Sequence, residues 1–209
     1  MGKTALHLAA ASGNVSALGA LLNCSATNVN LRDSEGRPPM FDITLFDNDY
    51  DAQTRVEFVH AFVRHPDIDL NARDSAGETM LHKVARYDFT ESAEILLQLP
   101  STDMFVRENE HKYAPIHLSV REESFSVATI LLSKRDKNVN AQDKHGNALL
   151  HLLAAASIAP RDPLDEVIPM SISFTETLFS RGDADLNLCN SYGNTPLHIA
   201  TEKKQSRDC

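Results

Sequence analysis

Apolar residues recur along this chain in short stretches with the spacing of one helix face, and polar turns separate the stretches. Two kinds of stretch alternate, one built around a histidine, as in "GNALLHLLAAA" (146–156), and one without it. The second kind comprises "VSALGALL" (15–22), "VEFVHAFV" (56–63), "ESAEILLQL" (91–99), "FSVATILL" (125–132) and "SFTETLFS" (173–180). This alternation predicts pairs of short helices, which must stack because a single pair cannot bury its apolar face.

The histidine-containing stretch recurs five times in nearly the same form. Its copies are "TALHLAA" (4–10), "TMLHKVA" (79–85), "APIHLSV" (114–120), "ALLHLLA" (148–154) and "TPLHIAT" (195–201), and a degenerate copy, "PPMFDIT" (38–44), has Phe41 at the histidine position. Successive intervals of 34, 41, 35, 34 and 47 residues indicate one unit length with two insertions. Thr or Ala followed by Pro or a small residue favours a helix start.

A second marker keeps the same phase. "NVNLRD" ends at Asp33, "DLNARD" at Asp74, "NVNAQD" at Asp143 and "DLNLCN" at Asn190, and "DMFVREN" is a degenerate version. Turn segments of the form DxxG follow at 33–36, 74–77 and 143–146, with glycine suited to a positive φ. The two markers together resemble the ankyrin repeat, with its unit of about 33 residues and its T-P-L-H-x-A signature.

This resemblance implies an all-α repeat solenoid of stacked helix-turn-helix ankyrin repeats with hairpin-like loops. We expect a single array over residues 1–209, with approximate units 1–33, 34–74, 75–109, 110–143, 144–190 and a partial unit 191–209. It also implies that the recurring histidines hydrogen-bond backbone groups of neighbouring units. Histidines one repeat apart would lie about 10 Å from each other, too far to share one metal ion, so His151 is expected to be structural.

Composition narrows the class of protein. A formal net charge of −9 disfavours nonspecific binding to nucleic acid or anionic membranes. The cysteines Cys24, Cys189 and Cys209 form no CxxC pair, which favours a reducing compartment, cytoplasmic or nuclear. Polar residues interrupt the uncharged stretch from Thr4 to Leu31, so no signal sequence is expected, and no apolar run has the length of a membrane span.

Motifs of catalysis and cofactor binding are not found in the sequence. It contains no GxGxxG, P-loop, HExxH or GxSxG, and we expect neither an enzyme nor a cofactor. His60 and His65 are five residues apart, a poor spacing for a shared metal ion. The acidic "DNDYD" (47–51) lacks the glycine and the distal glutamate of an EF-hand, which favours a solvated loop over a calcium site.

Two insertions and both chain ends depart from the repeat. About seven extra residues lie around 47–54, and about thirteen at 157–169, where three prolines favour an irregular loop over a longer helix. Such loops either contact a partner or are tolerated decoration. Since the chain begins in mid-unit and ends after a first helix, we expect it to be a segment of a larger protein.

In the ankyrin family, partners commonly contact the concave face of inner helices and hairpin tips. Mapped onto this sequence, that face includes a group rich in arginine, tyrosine and histidine, residue types favoured at binding hot spots. The candidates are Arg73, Arg86, Tyr87, Arg107, His111, Tyr113, Arg121, His145 and Tyr192. A charged solvent face diluted by Glu108, Glu110, Glu122 and Glu123 is the alternative interpretation.

The sequence leaves three functions open. The leading hypothesis is a non-catalytic module that binds a protein or peptide, with acidic residues and apolar anchors in the partner, rather than nucleic acid. The second is the ankyrin arm of a larger enzyme, pathogen effector or channel. The third is a substrate, since Asn30, Asn71, Asn140 and Asn187 resemble the residues that asparaginyl hydroxylases modify in ankyrin proteins. A gain of one oxygen per site in the intact mass would be the signature of that modification.

Overall fold

The computed structural model describes residues 2–44, 52–134, 139–156 and 167–205. The acidic segment "DNDYD" lies outside the described residues, and so does the prediction that it is a solvated loop rather than a calcium site. So does the 157–166 part of the second insertion.

Pairs of antiparallel helices follow one another through the described residues. The first helix of each pair is called inner and the second outer. The helices are α1 Ala5–Ala11, α2 Val15–Leu22, the 3₁₀ helix Pro39–Thr44, α3 Ala52–Val63, α4 Met80–Arg86, α5 Thr90–Leu97, α6 Pro115–Arg121, α7 Phe125–Ser133, α8 Leu149–Ala155, α9 Val167–Ser180 and α10 Pro196–Gln205. No strand occurs within these residues, which makes the fold an all-α repeat solenoid.

Helix boundaries differ from the sequence prediction at three places. Outer helix α3 begins at Ala52, four residues before the predicted start, and α9 begins at Val167, six residues before. The prediction of an irregular loop through 169 was therefore wrong for its last three residues. Pro169 lies in the first turn of α9, where a missing backbone N–H removes no intrahelical bond. The degenerate copy at Pro39–Thr44 is a 3₁₀ helix.

Three of the recurring histidines, His7, His117 and His151, connect their inner helix to the next repeat. Nδ1 of His7 accepts from the Thr4 backbone N–H (3.1 Å), so the ring proton is assigned to Nε2, which donates to the Arg37 carbonyl (3.0 Å). Nε2 of His117 donates to the Ala141 carbonyl (2.7 Å), and that of His151 to the Asn194 carbonyl (3.0 Å). All three rings are fully or almost fully buried. The expected structural role of His151 is confirmed.

The hairpin tips at Asp33, Asp143 and Asn190 are organised by the acid or amide that ends the second marker, whereas in the tip of the degenerate marker the buried Glu108 accepts from the Glu110 backbone N–H. Oδ1 of Asp143 accepts from the backbone N–H groups of His145 (2.7 Å) and Asn147 (2.8 Å), and the Asp143 carbonyl accepts from Gly146 N–H (3.1 Å). Gly146 has φ +75°, and a Cβ there would lie 2.6 Å from the Ser191 nitrogen of the next tip. The turn therefore requires glycine both for its backbone conformation and for close stacking of tips.

The chain divides into two compact units, each with its own core. Unit 1 is Met1–Val84 and Phe89–Glu110, and unit 2 is Ala85–Asp88 and His111–Cys209. Phe58, Val59 and Phe62 of α3 are buried in unit 1. In unit 2 the rings of Phe125 and Phe174 lie 5.8 Å apart in a core of aliphatic side chains. The predicted repeat boundaries stay a prediction.

Within the described residues, no helix combines the length and apolar character needed to cross a bilayer. The same residues contain no group of three or more His, Cys, Asp or Glu side chains arranged to hold a metal ion.

Candidate partner-binding surface

Most of the predicted contact residues fall in one compact unit. Arg73 and Arg107 belong to unit 1. The others belong to unit 2, and they are Arg86, Tyr87, His111, Tyr113, Arg121, His145 and Tyr192. They lie at the ends of inner helices or on hairpin tips, so the repeat brings residues from distant parts of the sequence onto one side of this unit.

The centre of this group is a stack of side chains around Tyr113. The His111 ring stacks on Tyr113 with centroids 5.2 Å apart, and the His117 ring lies 6.3 Å away. The guanidinium carbon of Arg121 lies 5.5 Å from the Tyr113 ring centroid, within the range of a cation–π interaction. Arg121 is exposed, so its cation covers the aromatic ring and faces solvent.

The sequence predicted that Tyr113 is an exposed contact residue, but the structure buries it. Only 7% of it is accessible, because it lies two residues before inner helix α6 and its ring packs into the unit 2 core. The equivalent positions hold Arg37, Glu78 and Asn147. Tyr113 therefore packs against His111 and Arg121 from the core side, and those two neighbours are more accessible to solvent than Tyr113 is.

Arg86 and Tyr87 lie at the end of inner helix α4. A nitrogen of Arg86 is 3.3 Å from an oxygen of Glu122, with a third of each side chain exposed. Tyr87 is half exposed. The hydroxyl of Ser124 donates to the Arg86 carbonyl (3.1 Å) and fixes the helix end. The charge of Arg86 is thus paired within the chain, and a partner carboxylate would compete with Glu122 for it.

A second aromatic pair lies on the next two hairpin tips. The His145 and Tyr192 rings stack with centroids 6.3 Å apart and an interplanar angle of 21°. The tips are joined by backbone bonds from Lys144 N–H to the His111 carbonyl (2.9 Å) and from Ser191 N–H to the His145 carbonyl (2.8 Å). Tyr192 is 72% exposed. These bonds join the tips that carry His111, His145 and Tyr192, and Arg121 lies beside them over Tyr113. The four residues His111, Arg121, His145 and Tyr192 are here called the tip surface.

The two unit 1 candidates have a different setting. Arg73 donates to the carbonyls of Gly77 (3.0 Å) and Arg107 (2.8 Å) and to the side-chain oxygen of Asn109 (3.1 Å). Gln142 bonds the carbonyls of Gly146 and Cys189 in the same manner. The guanidinium of Arg73 therefore joins successive tips, and the expected partner contact at Arg73 conflicts with this use of its donors. Arg107 is partly buried and supplies the carbonyl that Arg73 binds.

The four asparagines proposed as hydroxylation sites separate into two groups. The amide of Asn71 donates to the Ser101 carbonyl (2.7 Å) and accepts from Asp103 N–H (2.8 Å). Asn30 and Asn140 make the same two bonds to the following repeat. Asn187 is exposed, and its backbone N–H is bonded to Asp185. Three of the four side chains therefore hold neighbouring repeats together.

Buried ion pairs in unit 1 were not anticipated from the sequence. Lys83 lies 2.8 Å from Asp74 and also contacts Glu78, and both carboxylates are nearly inaccessible. Burial disfavours the charged lysine, but the hydrogen bonds to Asp74 and Glu78 outweigh it and raise the pKa of Lys83. The signal in the sequence was the lysine that follows His82, where Leu8, Leu118 and Leu152 occupy the equivalent positions.

A second pair fixes the first hairpin tip. Two guanidinium nitrogens of Arg37 bond one oxygen of Asp33 (2.8 and 3.0 Å). Burial opposes ionisation of Asp33, but bonds from the Arg37 side chain and from the backbone N–H groups of Arg37 and Glu35 lower its pKa to about 2. This pair is structural and belongs to unit 1.

Family models and known proteins agree with the repeat architecture. The model for three copies of the ankyrin repeat matches residues 49–143, and the single ankyrin repeat model matches residues 1–34. Neurogenic locus notch homolog protein 1 of Rattus norvegicus is 30% identical over 94% of this chain and 8% of its own length. Poly [ADP-ribose] polymerase tankyrase of Caenorhabditis elegans is 31% identical over 62% of this chain and 6% of its own.

The chain therefore spans less than a tenth of either relative. Among solved structures, the ankyrin repeat protein EF0377 superposes with a TM-score of 0.73 at 16% identity, covering 97% of this chain and 92% of that one, a likeness of fold alone. Ankyrin repeats are generally protein–protein interaction modules rather than catalysts. The matched models, the spacing of the histidines and the superposition agree, and the chain belongs to the ankyrin repeat family.

Proposed function

We propose that this chain is a non-catalytic protein-interaction module and that it binds a segment of its partner on the tip surface of unit 2. The observation that carries the proposal is the contiguity of exposed aromatic and cationic groups across three successive tips, joined by backbone hydrogen bonds. Rigid aromatic rings supply contact area at little conformational cost, and arginine supplies directional donors.

The chemistry of the tip surface favours a partner with both acidic and apolar residues. Arg121 faces solvent above Tyr113 and can donate two parallel hydrogen bonds to a carboxylate. Tyr192 and His145 offer a stacked aromatic pair for an apolar side chain. Glu108, counted in the sequence among the charges that dilute this patch, is buried and contributes little to the surface.

A binding comparison tests the proposal. Peptides selected from a random library against this chain should carry acidic residues beside apolar ones. We expect the double variant Arg121→Glu and Tyr192→Ala to weaken their affinity by a factor of about 10 to 100, the loss of one or two hot-spot contacts. Rising salt should weaken binding to the wild-type chain more than binding to the variant, since the variant lacks the arginine.

Arg64→Glu is the matched control, because Arg64 is an exposed arginine in the turn after outer helix α3. It makes the same change of charge in unit 1, outside the residues of the tip surface, and should leave affinity unchanged. Equal affinity of the double variant and the wild-type chain for all selected peptides would refute the proposal. Circular dichroism of each variant would establish that the helices are intact.

The alternative that the array is the interaction arm of a larger protein concerns the same surface. It is supported by the small share of each relative that the chain spans and by one relative being a polymerase. In that case the tip surface would position a partner for an activity carried elsewhere in the polypeptide.

A further inference from the structure

Three successive hairpin tips of unit 2 carry a ring at one equivalent position, held by His111, His145 and Tyr192. The carbonyls of His111 and His145 accept the backbone N–H that joins the next tip, from Lys144 (2.9 Å) and Ser191 (2.8 Å). In unit 1 the carbonyls that accept the equivalent bonds belong to residues without rings, Glu35 and Ala76. The three ringed residues are here called the ring row.

The spacing of the ring row fits an extended polypeptide. The ring centroids of His145 and Tyr192 lie 6.3 Å apart. In an extended chain, side chains that are two residues apart leave the same face and lie about 6.4–6.8 Å from each other. A helix with its side chains is about 10–12 Å across, much wider than a row of single rings. An extended segment therefore fits the row with one side chain for each tip.

The polar groups along this row are available to a partner. Within the part of the chain that the structure describes, the guanidinium of Arg121 contacts the Tyr113 ring and forms no hydrogen bond or ion pair. Among the same residues, the side-chain polar atoms of His145 and Tyr192 form no hydrogen bond. Arg73, by contrast, uses its donors on three acceptors inside the chain.

The two ends of the ring row differ in charge. The Arg121 cation lies at the His111 end, because both side chains contact the ring of Tyr113. At the other end the tip 190–194 contains no charged residue, and 72% of Tyr192 is accessible. An acidic side chain therefore fits the first end, and an apolar side chain fits the second.

We propose that the partner segment on the tip surface is extended, with an acidic residue at Arg121 and an apolar residue on Tyr192, four positions apart on one face. Two steps of the ring row, each taken at the 6.3 Å between His145 and Tyr192, span about 13 Å, the rise of four extended residues. A separation of three or five would point the second side chain away from the row. Because this describes the partner of the same surface, it rests on the proposed function.

Displayed peptide libraries measure the preferred separation directly. Each library fixes one aspartate and one leucine at a separation of two to eight positions, in both orders, and randomises the other residues. The libraries with a separation of four should be enriched most on the wild-type chain, and their peptides should bind about tenfold more tightly than those with three or five, the loss of one contact. A maximum at seven or eight, the separation that spans a similar distance in a helix, would overturn the proposal, as would a maximum at any other value or none.

Variants of the chain assign the two contacts. Arg121→Ala should weaken binding of the best peptide about tenfold, but less than about twofold when asparagine replaces the aspartate of the peptide. Tyr192→Ala should show the same coupling to the leucine of the peptide, tested by its replacement with alanine. Phe105→Ala is the matched control, because Phe105 is an exposed aromatic residue of unit 1, and it should leave affinity unchanged.

The outcomes separate this geometry from the proposed function. Peptides whose affinity depends on neither Arg121 nor Tyr192 would contradict the tip surface as a binding site, and the extended geometry with it. Dependence on both residues without a maximum at a separation of four would overturn the extended geometry and leave the proposed function standing.

Discussion

Lys83 places a charge at a motif position where three other repeats hold a leucine. The lysine bonds two nearly inaccessible carboxylates, Asp74 and Glu78. Such a group is costly to break, because removing the cation leaves two like charges buried side by side.

The structure also contains a buried oxygen of Asp42 without a hydrogen-bond partner, although the other oxygen of the same carboxylate pairs with Lys3 (3.0 Å).

Replacing Lys83 should therefore destabilise the chain. We expect Lys83→Met to lower the free energy of unfolding by about 2 kcal/mol, below the range for a fully buried pair because the lysine side chain keeps 18% exposure. Lys144→Met, at an exposed tip lysine, is the control and should change little. Urea unfolding measures both, and equal stability of Lys83→Met and the wild-type chain would contradict this account.

The pH dependence follows from the direction of the shift. The pKa of Lys83 is raised in the folded chain above its ordinary value of 10.5. Its contribution is thus fully present below 10.5 and is lost as pH rises through the raised value. The difference in stability between the wild-type chain and Lys83→Met should stay level around neutral pH and shrink above about 10.5.

At the scale of elements, the hairpin tip after the third helix pair carries a strained residue. Lys112 has φ +61°, where the equivalent Gly36, Gly77 and Gly146 have values between +73° and +80°. A side chain in this region costs about 1 kcal/mol relative to glycine. Asp88 and Glu123 have similar φ values in the turns between inner and outer helices, where Gly13 serves in the first pair.

Glycine at this tip should raise stability. We expect Lys112→Gly to increase the free energy of unfolding by about 0.5–1 kcal/mol, seen as a higher urea midpoint. Lys144→Gly, at a tip position without positive φ, should be neutral or destabilising because it only frees the unfolded chain. A lower midpoint for Lys112→Gly than for the wild-type chain would contradict the strain at this turn.

The repeat made most elements predictable and concealed a few. The histidine signature and the DxxG turns predicted the inner helices and tips, because capping and positive φ are local properties of those residues. The sequence analysis placed the starts of α3 and α9 too late. No helix-start signal marks Ala52 ahead of "VEFVHAFV", and the prolines before "SFTETLFS" suggested a loop. Phe41, which replaces the histidine of the motif, indicated that the second inner helix would differ from the others, and this helix is 3₁₀.

At the scale of the whole molecule, the sequence nominated the residues proposed for the tip surface but did not reveal the contacts that each nominated residue makes within the chain. Enrichment in arginine and tyrosine pointed to Arg121 and Tyr192 as candidate contact residues. The burial of Tyr113 depends on core packing, and the bonding of Arg73 between tips depends on a residue more than thirty positions away.

The central claim is that unit 2 presents its partner-binding site on the tip surface. Nuclear magnetic resonance of the ¹⁵N-labelled chain, titrated with a selected acidic peptide, tests it most directly. We expect shifted amide signals at His111, Arg121, His145 and Tyr192 and their neighbours, with unchanged signals along outer helix α3. Shifts confined to α3 or to the insertions, with the tip surface unaffected, would contradict it.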